Sequence, residues 1–76
     1  MPADQPEWVP AARRAVGDRI RVRRLHQNMT QESLAYAAGI DRSTIQRMEA
    51  GHEMKLSHLL LVAHALRVHV VDLLHG

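Results

Sequence analysis

The chain has 76 residues, ten Lys+Arg against eight Asp+Glu for a net charge of +2, no cysteine, one Trp and one Tyr. That length holds one domain. The absence of cysteine excludes a disulfide framework, a thiolate zinc site and a cysteine nucleophile, and two aromatic residues are too few for a base-stacking platform. The longest apolar run, Leu59 to Ala63, is far short of the roughly 20 residues that span a bilayer. Asp4 and Glu7 near the start, with no apolar segment between them, argue against a signal peptide. A soluble cytoplasmic protein with no membrane partner is expected.

In chain order, residues 1–9 contain Pro2 and Pro6 among small and polar residues and read as a flexible arm ahead of a domain over 10–76. Pro10 suits a first helical turn, where its missing N–H costs nothing. Ala11 to His26 reads as helix, with Ala12, Val16, Ile20 and the Arg24 stem on one face. Gly17 is a weak spot there, costing about 1 kcal/mol relative to Ala. Thr30 is an N-cap for a second helix ending at Ala38, and Gly39 supplies a left-handed residue after it. Asp41 is an N-cap for a third helix, Arg42 to Ala50, closed by Gly51. A fourth helix runs from Leu56 to Leu66 with Leu56, Leu59, Leu60, Ala63 and Leu66 inward, and Val70 to Leu74 makes a last short turn. The fold class is all-α, a compact bundle of four to five short helices.

Charge is unevenly placed along these elements. Residues 13–24 hold Arg13, Arg14, Arg19, Arg21, Arg23 and Arg24 against Asp18 alone, a local net of +5, and Arg42 and Arg47 follow with no acid between them. Nine of the ten bases are Arg, the side chain whose fork matches phosphate and guanine.

The segment from Gln31 to Ala50 carries the function. Two short helices that cross closely need a small residue at the contact, which Ala35 provides, and a left-handed turn residue, which Gly39 provides. Leu34, Ala38, Ile40, Ile45 and Met48 are apolar and able to fix the crossing angle. Arg42, Ser43, Thr44, Gln46 and Arg47 are all hydrogen-bonding and point the other way. This is the pattern of a helix-turn-helix whose second helix is free to enter a major groove.

The stretches IRVRR, MTQESLAYAAGIDRSTIQRMEAG and LSHLLLVAHAL strongly resemble the phage-repressor/Cro-type, or XRE-like, helix-turn-helix family, from about Ile20 to Leu74. The resemblance implies a lambda-repressor-like fold and a dimer bound to double-stranded DNA. By position it implies base reading by Arg42, Ser43, Gln46 and Arg47, with Arg47 the foremost candidate because Arg pairs bidentately with guanine. It implies phosphate contacts from Gln31, Thr44 and Tyr36, and a structural ion pair between Arg24 and Glu49. Arg19, Arg21 and Arg23 read as solvated or as long-range attraction for phosphate.

Three departures from the family pattern stand out. Helix 4 carries Leu61, where the family usually has a base, together with Val62 and Ala65, so it is apolar nearly all round and needs a cover. Either the arm with Trp8 folds over it or a second subunit does. The dimer reading places Leu61, Ala65, Val68, Val70, Val71 and Leu74 at the interface. The loop after Gly51, His-Glu-Met-Lys, lacks the usual proline and is about one residue shorter, which puts its phosphate contacts in question. Arg67 replaces a usual glycine, so a different turn is expected there.

Six histidines at 26, 52, 58, 64, 69 and 75 include no helical pair at three- or four-residue spacing, so no metal site and no cofactor are expected. Ser33, Ser43 and Ser57 lie in no nucleophile motif, and no enzyme activity is expected. The sequence therefore reads as a sequence-specific transcriptional regulator of the repressor type on a palindromic operator. Two variants share the fold: the DNA-binding antitoxin of a toxin–antitoxin pair, with a toxin or other regulator as protein partner, and an interaction module without DNA binding. The second predicts an acidic or apolar third helix, whereas this one is basic.

Overall fold

In a computed structural model that describes residues 5–75, five helices follow one another: α1 (Trp8–His26), α2 (Gln31–Ala38), α3 (Arg42–Glu49), α4 (Leu56–Ala65) and α5 (Val70–Leu74). Their apolar residues meet in one core. Val16 and Ile20 of α1 enter it with Leu34, Ala35 and Ala38 of α2 and with Ile45 and Met48 of α3. Leu59, Val62, Ala63 and Leu66 close it from the α4 side, and Leu73 from α5. The helices pack α2 on α3 and α4, and α1 on α3 and α5. α3 is thereby carried by its neighbours along one side only.

The first helix differs from the sequence expectation in three ways. It starts at Trp8, so residues 8 and 9 belong to the helix rather than to the arm; the arm residues 1–4 lie outside the described residues. Ala12, expected on the buried face, is exposed, while Val16, Ile20 and Arg24 are buried. The buried face of α1 begins at Val16. Gly17 is a contact point and not merely a weak spot. A Cβ there would lie 2.4 Å from the Met48 carbonyl oxygen and 2.8 Å from that of Glu49. The missing side chain lets α1 rest directly on the carboxyl end of α3.

Capping follows the sequence at α2 and departs from it at α3. The Thr30 hydroxyl accepts from the Ser33 amide and the Ser33 hydroxyl accepts from the Thr30 amide, both at 2.9 Å. This reciprocal pair satisfies two amides that the helix leaves unbonded. Asp41 has the extended backbone of an N-cap, but its side chain makes no capping hydrogen bond; its carbonyl accepts from the Thr44 and Ile45 amides. The carboxylate still sits favourably at the positive end of α3.

The buried stripe of α4 is rotated from the expected one. Leu56 is 66% exposed and Leu60 47%, while Val62 is fully buried. The reason is that α4 packs on α2 while turning Leu59, Val62, Ala63 and Leu66 into the core, a spacing of three, four and seven from Leu59 that an apolar-all-round sequence cannot distinguish from its neighbours. In the turn after α4, Arg67 has φ 59°, a left-handed conformation that ordinarily favours glycine, so the arginine bears strain there.

Candidate nucleic-acid interface

The α2–α3 unit is built by the residues that the sequence pattern singled out. Ala35 is buried at the crossing, and Gly39, at φ 73°, turns the chain after α2 while its amide bonds back to the Tyr36 carbonyl at 3.2 Å. Ile45 and Met48 are buried and Ile40 is packed against the core, which fixes α3 in rotation about its own axis. The opposite side of α3 then necessarily faces outward. Arg42, Ser43, Gln46 and Arg47 are all exposed, and Thr44 is half-buried at the edge. Four side chains rich in hydrogen-bond donors thus project from one face of an eight-residue helix, with no acidic residue among them.

The mounting of α3 is ionic as well as apolar. Arg24 Nε donates to Glu49 Oε2 at 2.6 Å and Nη2 donates to Oε1 at 2.9 Å, a bidentate pair in which both side chains are buried. Arg24 Nη1 donates further to the Met29 carbonyl at 2.9 Å. The hydrogen bond to Glu49 raises the Arg24 pKa above its ordinary value against the opposing effect of burial, so this guanidinium remains charged at any working pH. Glu49 is bonded a third time. Gln31 Nε2 donates to its Oε1 at 3.1 Å, so the Gln31 amide, expected at a phosphate, is anchored at the start of α2 to the end of α3. Tyr36 is 90% exposed, with its hydroxyl on the outer surface of α2.

Two further arginines of α1 turn out to be struts. Arg13 Nε donates to the Gly51 carbonyl at 3.2 Å, and Arg19 Nη1 donates to the Leu73 carbonyl at 3.0 Å. The second contact corrects the expectation that Arg19 is solvated: its guanidinium meets a carbonyl near the carboxyl end of α5, where a cation is favoured. Arg21 does remain at the surface, 3.6 Å from Asp18, and Arg23 is exposed. No periodicity in the sequence marks Arg13 or Arg19 as different from their neighbours, because their partners are backbone atoms brought in by distant elements. Gln27 is a similar case, with Nε2 donating to the Leu66 carbonyl at 2.6 Å.

The outer faces of α4 and α5 stay apolar. Leu61, Val71 and Leu74 are exposed, while Ala65, Val68 and Val70 are half-buried. Trp8 does not cover Leu61. It lies with Leu56, Leu59 and Leu74 along a groove of about 560 Å³ between α1 and α4 and is itself 70% exposed.

The helix-turn-helix family profile matches residues 20–73, well over half of the chain. The chain belongs to that helix-turn-helix family. Solved structures place this helix-turn-helix protein among regulators. It superposes with a TM-score of 0.77 on the restriction-modification controller protein C.AhdI from Aeromonas hydrophila, at 31% identity over 83% of this chain and 96% of that one. The clp gene regulator ClgR from Corynebacterium glutamicum gives the same score and identity over 83% of this chain and 68% of that one. A hypothetical transcription factor, NHTF, from Neisseria matches at a TM-score of 0.77 and 32% identity over 97% of this chain and 85% of that one. No curated protein matches significantly. Among the described residues, no helix is long and apolar enough to cross a membrane.

Proposed function

We infer that this helix-turn-helix protein is a transcriptional regulator that binds double-stranded DNA sequence-specifically, as a homodimer on a two-fold symmetric operator, and therefore works where the chromosome lies. The observation that carries the reading is the outward face of α3. Arg42, Ser43, Gln46 and Arg47 are exposed together on a helix whose other side is locked by Ile45, Met48 and the Arg24–Glu49 pair. A rigidly mounted helix with donors on its free face is what base-edge readout in a major groove requires. In this reading Arg47 pairs with guanine, and Gln46 is suited to adenine. Thr44 and Tyr36 stand toward the flanking phosphates, with Gln31 holding the start of α2 in place for the same backbone. The relatives described as a controller protein and a gene regulator support the regulatory role.

The dimer seam is assigned to the apolar surface of α4 and the C-terminal residues: Leu61, Ala65, Val68, Val70, Val71 and Leu74. A regulator on a palindrome requires a symmetric contact, and the uncovered leucines and valines of this surface are suited to one. Selection from a pool of random duplexes, read by sequencing, tests the whole reading. A palindromic consensus with half-sites about one helical turn apart is expected. An unstructured pool after several rounds at low salt refutes it.

A further inference from the structure

The groove between α1 and α4 holds about 560 Å³, within the range of roughly 300–1,000 Å³ that small-molecule sites occupy. Among the described residues its lining includes none of Arg42, Ser43, Gln46 and Arg47, and of the dimer seam only Leu74 reaches it. We propose that this groove binds a small amphipathic organic anion, an alkyl or aryl carboxylate. Its apolar body would lie against Trp8 and Leu56, and its carboxylate would meet the cations of the groove. The site stands apart from the DNA-binding reading and neither needs nor supports it.

The lining is apolar along its length. Val16 and Leu59 are buried and close the groove toward the core, while Trp8, Leu56 and Leu74 stand exposed beside them. Leucines exposed singly are ordinary on a soluble domain. An open indole continuous with several aliphatic side chains around one concavity is the pattern of a surface that a ligand covers.

Charge decides which ligand. Arg13, Arg19 and Lys55 bring three positive charges to the groove and Glu53 one negative charge, a net of +2. The two arginines are half-buried and fastened, Arg13 to the Gly51 carbonyl and Arg19 to the Leu73 carbonyl. Arg13 also donates to Gln5 Oε1 at 2.9 Å. Each guanidinium has five N–H groups, more than these contacts use, and the six-residue spacing sets the two about 9 Å apart along α1. Lys55 is exposed, so its ammonium can move to meet a ligand.

Other occupants satisfy only half of this lining. A second copy seated here about a two-fold axis would set the same patch against itself, a +2 groove facing a +2 groove. A neutral apolar molecule leaves the cations unused. A nucleic-acid phosphate keeps its water and leaves Trp8 and Leu56 uncovered. An anion with an apolar body covers the indole and meets the positive charge together.

Trp8 is the one tryptophan of the chain, so its fluorescence reports the groove directly. The test is a titration of the full chain, without DNA, by decanoate, with decanol and decyltrimethylammonium as neutral and cationic counterparts. Decanoate is expected to shift the Trp8 emission saturably with a Kd on the order of 0.1 mM, a modest efficiency for a ligand of about a dozen non-hydrogen atoms. Decanol is expected to bind about tenfold more weakly, and the cation to leave the emission unchanged. Ala12→Glu, which sets an acid on an exposed position within the groove, is expected to abolish binding of decanoate. Ala11→Glu, exposed and outside the groove, is expected to match the wild type. Lys55→Glu is expected to weaken decanoate by about tenfold and to leave decanol unaffected. An emission that does not saturate, equal affinity for decanoate and decanol, or an Ala12→Glu variant that behaves as wild type overturns the proposal. So does a sedimentation result in which decanoate splits a dimer, which would give the groove to a second copy. Saturation by an acidic amphipathic peptide but not by decanoate would give it to a protein partner instead.

Discussion

Replacing Gly17 with Ala sets two physical effects against each other. Helix propensity alone predicts a gain of about 1 kcal/mol, because Gly is the poorest ordinary residue in a helix interior. Packing predicts the reverse. The new Cβ would lie 2.4 Å from the Met48 carbonyl oxygen and 2.8 Å from the Glu49 carbonyl oxygen, both backbone atoms of α3 and its last turn, which cannot rotate out of the way. Overpacking in a tight interior costs typically 1–3 kcal/mol, and an immovable backbone places this case at the upper end, about 3 kcal/mol. After the propensity gain the variant is expected to be about 2 kcal/mol less stable. For a domain of this size each kcal/mol moves Tm by roughly 4–8 °C, so Tm should fall by roughly 8–16 °C in a far-UV circular dichroism melt. DNA affinity measured well below that Tm should also fall, since α3 must shift away from α1 to make room. A Tm equal to or above that of the wild type would refute the close-contact argument and leave propensity as the dominant effect.

Arg24→Met should cost about 3–5 kcal/mol, because it strands the buried Glu49 carboxylate without its ion pair, and urea titration should show the loss. Adding Glu49→Leu should restore most of it, and failure to do so would mean that the pair is not the unit of stability. Arg67→Gly should raise stability by roughly 0.5 kcal/mol, since relief of a left-handed arginine at φ 59° is partly offset by greater freedom of the unfolded chain; a clear loss in the same titration contradicts the strain argument. Arg47→Ala should weaken binding to the selected operator by about 1–3 kcal/mol and relax preference at one base pair. Equal weakening on all sequences would move Arg47 from base reading to the backbone.

The fold was legible where local chemistry and tertiary structure agree. Thr30, Gly39 and Gly51 mark element ends by their own conformational preferences, and Val16, Ile20, Ile45 and Met48 show the helical period because they fall on the buried face of their helix. Legibility failed where the deciding partner is remote. The apolar surface of α4 gives no internal sign that Val62 rather than Leu60 faces the core. Gly17 looks like a defect until α3 is seen against it, and Arg19 looks like any surface arginine until the end of α5 is brought beside it. The candidate interface was more readable than the core of α4, because its outward face is defined by exclusion: whatever Ile45 and Met48 do not bury must project outward.

The mounting of α3 and its outward face share no residue. Ile45, Met48 and Glu49 hold the helix, whereas Arg42, Ser43, Gln46 and Arg47 are exposed and take no part in that mounting. Address and chassis can therefore change at different rates. The four outward positions can be rewritten, by drift or by design, with little effect on folding, and under the base-reading role proposed above, such proteins could diverge to many operators from one unaltered frame.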